Sequence, residues 1–355
     1  MREITFDLPG HLVATQPTAR RDACKLLVYH RQQDRIEHKR FYDIKSYLQT
    51  SDHLVFNHAK VSPKRVYWVG PSQRKHEIVF LRLLESDTTQ STWEVILSGK
   101  KLKEQQPYIL SESDEISFRI TKRLGKIAHV ELNCTVDKLE IFLATHGLLP
   151  LPPYILKSRR ESGQEQHSLQ DQKDYQTVYA AKSGAAAAPT AGLHFTKELI
   201  QDIQALGVHR HDLFLEVGWG TFAPLTEKNF TEKKLHQEYI EIDKVVTSSL
   251  LQAKVNKQKV IGVGTTVARS LETWASYDCP PVDFHTTSDL FIYPPYRFQV
   301  LDAMITNFHL SGSSLLLLVA AFLGEGGVRK IIDIYREAVQ QEYRFYSYGD
   351  AMLIL

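Results

Sequence analysis

The sequence predicts a layered α/β domain interrupted by an inserted antiparallel β-barrel domain of about six strands. Three observations lead there. Strand and helix patterns alternate beyond residue 150, six short β-rich stretches follow one another between residues 65 and 133, and the composition is that of an ordinary globular chain. With 355 residues, 43% hydrophobic and 24% charged, the chain is long enough for about two domains with proper cores. The parse gives residues 1–58 and 150–355 to the α/β domain and 59–149 to the insertion.

A hairpin opens the chain in KLLVYHRQQDRIEHKRF, where Leu26, Leu27 and Val28 lead through a polar turn at 31–34 to a return strand containing Ile36. DHLVFNHAKV (52–61) then reads as a buried strand. RVYWVG, EIVFLRLLE, TWEVILSG, YILSES, EISFRITK and IAHVELN recur every 8–14 residues with polar turns between them, the pattern of a small antiparallel barrel or a sandwich. A helix at 136–146 is stopped by Gly147 and the prolines of LLPLPPYI. From there KELIQDIQAL, DKVVTSSLLQAKV and TTVARSLETWA read as helices, and HDLFLEVG, KVIGVG and DLFIYP as strands. Two apolar helices, about 313–323 and 328–341, precede YRFYSYGDAMLIL. KSRRESGQEQHSLQDQK (157–173) has almost no apolar residue and reads as a mobile surface loop.

Cys24, Cys134 and Cys279 are far apart and form no C-x-x-C pair, so neither a disulfide framework nor a thiolate zinc site is expected, and a reducing cytoplasm fits. The longest apolar run, 315–323, is nine residues, against the roughly 20 of a membrane helix, and MREITFDLPG has no apolar stretch behind Arg2. The expectation is a chain neither exported nor membrane-spanning. His209 and His211 are two apart, but no third ligand is placed with them, so no metal is expected.

Four segments look like sites. GAAAAPTAGLHFT (184–196) is dominated by small residues and runs into a helix behind Thr196, an N-cap; it either lets backbone amides approach a ligand, with His194 at the helix mouth, or is a tightly packed turn with a structural histidine. VIGVGTT (260–266) is a buried strand that ends at Gly264 and opens a helix through Thr265 and Thr266. Hydroxyls and free amides there suit an anion or a ribose, although an ordinary strand-to-helix turn has the same pattern and the G-x-G-x-x-G spacing is missing. EVGWGTF (216–222) offers Trp219 between two glycines as a platform for a cation, or as a core residue in a kinked strand. TNFHL (306–310) carries His309, a proton-transfer group or a hydrogen-bonded core histidine.

Ten segments, RDACKLLV, LVFN, PLPPYI, DYQTVYA, GAAAAPTAGLHFT, VGWGTF, VGTTVAR, ITNFHL, SLLLLVAAFLG and YRFYSYGDAML, occur in order nearly from end to end. On them the chain resembles the S-adenosylmethionine:tRNA ribosyltransferase-isomerase family of queuosine biosynthesis. The resemblance implies a monomeric cytoplasmic enzyme with an α/β domain and an inserted β-barrel. It would move and isomerise the ribosyl group of S-adenosylmethionine onto 7-aminomethyl-7-deazaguanine in tRNA, giving epoxyqueuosine-tRNA, adenine and methionine. S-adenosylmethionine is a substrate in this scheme, and no cofactor is expected. A sulfonium acidifies the neighbouring ribose C5′–H, so a base must take that proton and an acid must help adenine leave. On the matched motifs, His194 is expected as one of these groups, with His309 or Asp350 as its counterpart. Thr190, Gly192, Gly264, Thr265 and Thr266 are expected at the donor, Tyr175 and Tyr346 against a purine, and Asp174 on an amine or hydroxyl.

The chain departs from the family where Asn57, His58, Ala59 and Lys60 replace Asn-Asp-Thr-Arg, where Glu216 replaces histidine, where Pro295 replaces glycine, at His285–Ser288, and where SGSS (311–314) replaces Pro-Lys-Ser-Thr. These changes motivate two alternatives: a diverged paralogue using another acceptor, and a catalytically weak RNA-binding protein on the same scaffold. The net charge of +2 is itself a cancellation. Residues 1–160 carry 26 Lys and Arg against 18 Asp and Glu, and residues 161–355 carry 17 against 23. The tRNA is therefore expected on the N-terminal half, at Lys100, Lys101, Lys103, Arg159 and Arg160, and the sulfonium in the acidic half.

Overall fold

A computed structural model describes residues 4–70, 74–99, 102–113, 115–218, 220 and 225–355. The chain divides into two compact units, Met1–Lys60 with Pro152–Leu355, and Val61–Leu151.

The first unit is built on a nine-stranded mixed sheet in the order Phe284–Leu290, Lys234–Ile242, His209–Leu215, His53–Asn57, Val260–Val263, Ala303–Asn307, Ala351–Ile354, Lys25–His30, Arg35–Arg40. His209–Leu215, His53–Asn57, Val260–Val263 and Ala303–Asn307 run parallel to one another. Three of these four are buried at every residue, as parallel strands covered on both faces must be. Their side chains alternate between two cores. Leu27, Tyr29, Val55, Met304, Met352 and Ile354 face one side, and Leu26, Val28, Leu54, Phe56, Ile305 and Leu353 the other.

Helices cover the sheet where the sequence places start signals. Thr196 caps Lys197–Ala205 by accepting from the Leu199 amide at 3.1 Å, and Ser313 caps Ser314–Phe322 through the Leu316 amide at 3.2 Å. Gly264 opens Thr265–Ala275 at φ +95°, a left-handed turn that a side chain would strain.

The second unit is an antiparallel six-stranded sheet, ordered Arg65–Val69, Lys75–Ser86, Ser91–Leu97, Ile127–Leu132, Ser117–Leu124, Pro107–Ile109. A bridge between Trp68 and Leu110 brings the first and last strands together, so the sheet is a nearly closed barrel. Its interior is filled by alternate residues, among them Trp68, Phe80, Val95, Phe118, Ile120 and Val130. The helix Val136–His146 ends at Gly147. The fold is thus α/β with an antiparallel six-stranded barrel.

Several local expectations change. Residues 157–173 are not a featureless loop: Pro153–Glu161 and Asp171–Asp174 are helical. Pro153 at the first helical position starts the longer helix, a role that proline's missing amide suits. The buried Arg159–Asp171 pair ties the two together at 2.7 Å, which composition alone does not reveal. The strand expected at DLFIYP lies earlier, at Phe284–Leu290, because its partner is Lys234–Ile242, a strand unmarked by hydrophobicity. Ala351–Ile354, four apolar residues, is too short for periodicity to assign.

Candidate functional site

The carboxyl ends of parallel strands leave a crevice where the chain turns into helices, which is where α/β sheets bind ligands. Val260–Val263 ends in Gly264 and the N-terminus of Thr265–Ala275, and Ala303–Asn307 ends in Phe308, His309 and Leu310. Between them, with residues 187–191, Val217, Tyr154, Tyr346 and Ser347, lies a cleft. Among the described residues none that lines it carries a formal charge.

Its polar groups are fixed by hydrogen bonds. Asn307, 2% exposed, accepts from the Thr190 hydroxyl at 2.8 Å and donates to the Tyr346 carbonyl at 3.2 Å, which joins two walls. Tyr346 is held at φ +74°, with its amide donating to the Phe308 carbonyl at 3.0 Å. Its ring lies 4.7 Å from that of Tyr154, whose hydroxyl meets Ser347 Oγ at 2.5 Å. These ring faces can receive a cation. Thr306 Oγ1 and His309 Nε2 are 2.7 Å apart, and the His309 amide donates to the Tyr335 hydroxyl at 2.8 Å. Burial pushes the His309 imidazole down to about 3, so the ring is neutral near pH 7. Thr266 Oγ1 is buried on the cleft wall without a hydrogen-bond partner.

Of the residues expected from sequence, Thr190, Gly264, Thr265, Thr266, Tyr346 and His309 line the cleft. His194 does not. It is fully enclosed against Phe41, with Nδ1 3.0 Å from the Ala191 carbonyl and Nε2 3.0 Å from the Gly349 carbonyl. Burial lowers its pKa, and it holds the turn Thr190–His194 in place. Asp350 also lies off the cleft, its oxygens accepting from the Lys25 amide at 2.8 Å and the Arg344 amide at 2.7 Å. Gly192 serves packing, since a Cβ there would come within 1.8 Å of the Tyr179 hydroxyl. Tyr175 is wholly buried edge-on to Tyr348, with no free face for a purine, and Asp174 accepts from Gln170 Nε2 at 3.0 Å away from the cleft.

The cationic positions separate in the same way. Lys100 and Lys101 lie outside the described residues, as does Trp219. Lys103 and Arg160 are exposed. Arg159 is 4% exposed and forked onto both oxygens of Asp171 at 2.7 and 2.8 Å, so it presents no charge to a polyanion. The cleft, lined mostly by residues of the acidic half, offers ring faces and no carboxylate among the described residues.

Sequence reasoning missed Tyr154, Ser347, Asn307 and Thr306. Asn307 and Thr306 had a signal, as polar residues closing an apolar strand inside TNFHL. It also missed that His53 joins His209 and His211, with His53 Nδ1 2.9 Å from His211 Nε2. Among the described residues no group of His, Cys, Asp or Glu is arranged to hold a metal ion, and no helix is long and apolar enough to cross a membrane.

The family described as queuosine biosynthesis protein matches residues 1–354. A protein of Desulforamulus reducens named S-adenosylmethionine:tRNA ribosyltransferase-isomerase is 39% identical over 365 residues, covering 100% of this chain and 99% of the relative. A protein of that name from Thermotoga maritima is 38% identical over 354 residues, with 99% of each covered. The crystal structure of an S-adenosylmethionine tRNA ribosyltransferase from Thermotoga maritima superimposes with a TM-score of 0.54 at 30% identity, over 100% of both chains.

Proposed function

The chain belongs to the queuosine biosynthesis protein family, and on that premise we propose that it acts as an S-adenosylmethionine:tRNA ribosyltransferase-isomerase with the donor bound in the cleft at the sheet's carboxyl ends. Its acceptor is 7-aminomethyl-7-deazaguanine in tRNA, and its products are epoxyqueuosine-tRNA, adenine and methionine. The end-to-end likeness to proteins of that name favours this reading over a diverged paralogue or an RNA-binding scaffold without turnover.

The observation that carries the donor site is an uncharged cleft that combines paired ring faces, a helix N-terminus and an unpartnered hydroxyl. The sulfonium lies against Tyr154 and Tyr346, where a positive charge is stabilised without an ion pair that would have to be desolvated. The Thr265 and Thr266 end of the helix receives oxygen atoms of the donor, with Thr266 Oγ1 supplying a hydrogen bond. His309 is the proton-transfer group. A neutral imidazole can accept the proton that the sulfonium has made acidic, and Thr306 fixes the ring through Nε2. His194 and Asp350 support the turn and the C-terminal segment on which the cleft is built.

The exposed Arg160, two turns along the helix that begins beside Tyr154, and Lys103 contact tRNA phosphate by charge alone. The protein works as a monomer in the cytoplasm, where both substrates are found. The test is to incubate it with S-adenosylmethionine and tRNA bearing 7-aminomethyl-7-deazaguanine and to measure adenine and methionine. Release that needs this tRNA is expected. Formation of S-adenosylhomocysteine, or adenine release with tRNA lacking that base, would overturn the reading.

A further inference from the structure

Behind the cleft, one turn into Thr265–Ala275, Arg269 is 7% exposed and forms an ion pair with Glu238, 4% exposed, of the strand Lys234–Ile242. The other carboxylate oxygen, Oε1, accepts from the Gly218 amide at 2.7 Å. Gly218 follows Val217, which lines the cleft and whose carbonyl accepts from the Ala186 amide at 2.9 Å, next to the Ala187 and Ala188 wall. One buried carboxylate therefore connects the helix that presents Thr265 and Thr266 to the segment that presents Val217. Arg269 and Glu238 themselves do not line the cleft. Arg269 borders a much smaller void whose walls include Leu290, Ile292 and Leu318, and which shares Thr265, Thr266 and Leu315 with the cleft.

A buried pair of this kind adds little stability over apolar residues of similar volume, because desolvating both charges offsets their attraction. What it adds is direction. A carboxylate fixed on one side by a guanidinium and on the other by a backbone amide sets the separation of the two elements it joins. We propose that the Arg269–Glu238 pair is a positioning device that holds the Val217 wall at a set distance from the Thr265–Thr266 helix terminus and so determines how tightly the donor is bound. The inference rests on the cleft being the donor site.

The experiment compares the wild type with E238A, E238Q and the double variant E238M/R269M. It measures the S-adenosylmethionine Kd by calorimetry on the protein alone and on the protein saturated with tRNA that lacks the aminomethyl base, kcat and both KM values from adenine release, and the unfolding midpoint. E238A is expected to raise the donor Kd roughly tenfold, with kcat and the tRNA KM within about twofold of the wild type. E238Q keeps an acceptor for Gly218 and restores part of the affinity. E238M/R269M regains the unfolding midpoint but not the affinity. The proposal is overturned if variants with a lowered midpoint bind the donor as the wild type does, if the double variant recovers affinity together with stability, or if both KM values rise alike. Should E238A not fold, an unchanged donor Kd in E238Q overturns it as well. A wild type that binds S-adenosylmethionine neither alone nor with that tRNA sinks the donor-site reading first, and is seen before any variant is made.

Discussion

Asn307→Ala separates the packing of the cleft from its chemistry. The side chain accepts from Thr190 and donates to the Tyr346 carbonyl, and Tyr346 sits at φ +74°, a conformation that costs a non-glycine residue about 1–3 kcal/mol. That strain is held by the hydrogen bond from the Tyr346 amide to the Phe308 carbonyl, by the Gly349 amide, which donates to the Tyr346 carbonyl at 3.0 Å, and by Asn307 on that Tyr346 carbonyl. Each hydrogen bond contributes about 0.5–1.5 kcal/mol net, so losing two removes about 1–3 kcal/mol of stability, of which the one on Tyr346, about 0.5–1.5 kcal/mol, works against the strain. Tyr346 is then held by two hydrogen bonds in place of three and departs more often from the position in which it faces Tyr154. Guanidinium titration should show a stability loss in that range, and the S-adenosylmethionine KM should rise roughly tenfold with kcat little changed. Asn307→Ala with the expected stability loss but a wild-type donor KM would show that the asparagine stabilises the fold without shaping the site.

Gly192→Ala should destabilise by about 1–3 kcal/mol through overpacking, because its Cβ meets the Tyr179 hydroxyl; adding Tyr179→Phe should recover part of the loss in a melting experiment. Arg160→Glu should weaken tRNA binding and flatten its salt dependence, whereas Arg159→Met should leave that slope intact and cost about 3 kcal/mol by stranding Asp171. Acidification should destabilise the fold: burial holds His211 at about 4 and His309 at about 3, while the unfolded chain protonates them near 6.5. The unfolded state therefore binds more protons as pH falls from about 6.5 toward 4, and stability falls with it; His211→Asn should flatten that profile in denaturant titrations. His309→Gln should abolish adenine release while donor binding by calorimetry persists, since the group transfers a proton and does not anchor the donor.

Most of the elements and the split into barrel and α/β domain were legible in the sequence, whereas Pro153–Glu161, Lys234–Ile242 and Ala351–Ile354 were not. Six alternating stretches marked the barrel because one face of each strand must be apolar, and fully apolar runs such as LVFN and VIGV marked strands buried on both sides. The turn at Gly264 was legible because a strand, a glycine and two threonines in line leave little else to form. Spacing along a chain fixes which face of its own element a residue occupies. It does not fix what that face meets.

The tertiary structure alone decided which members of the motifs share a cleft. Sequence put His194 first as a proton carrier and His309 second, and the fold separates them, because the ring nitrogens of His194 face carbonyls from residues 191 and 349 while His309 borders open space. Arg159 and Arg160 are adjacent, yet a helix turns one toward buried Asp171 and the other to water. Tyr154 meets Ser347, and Glu238 meets Arg269, across separations that no local pattern encodes. Partner choice for a buried polar group depends on which distant atom satisfies it in the folded chain, because leaving it unsatisfied costs more than almost any local preference can return.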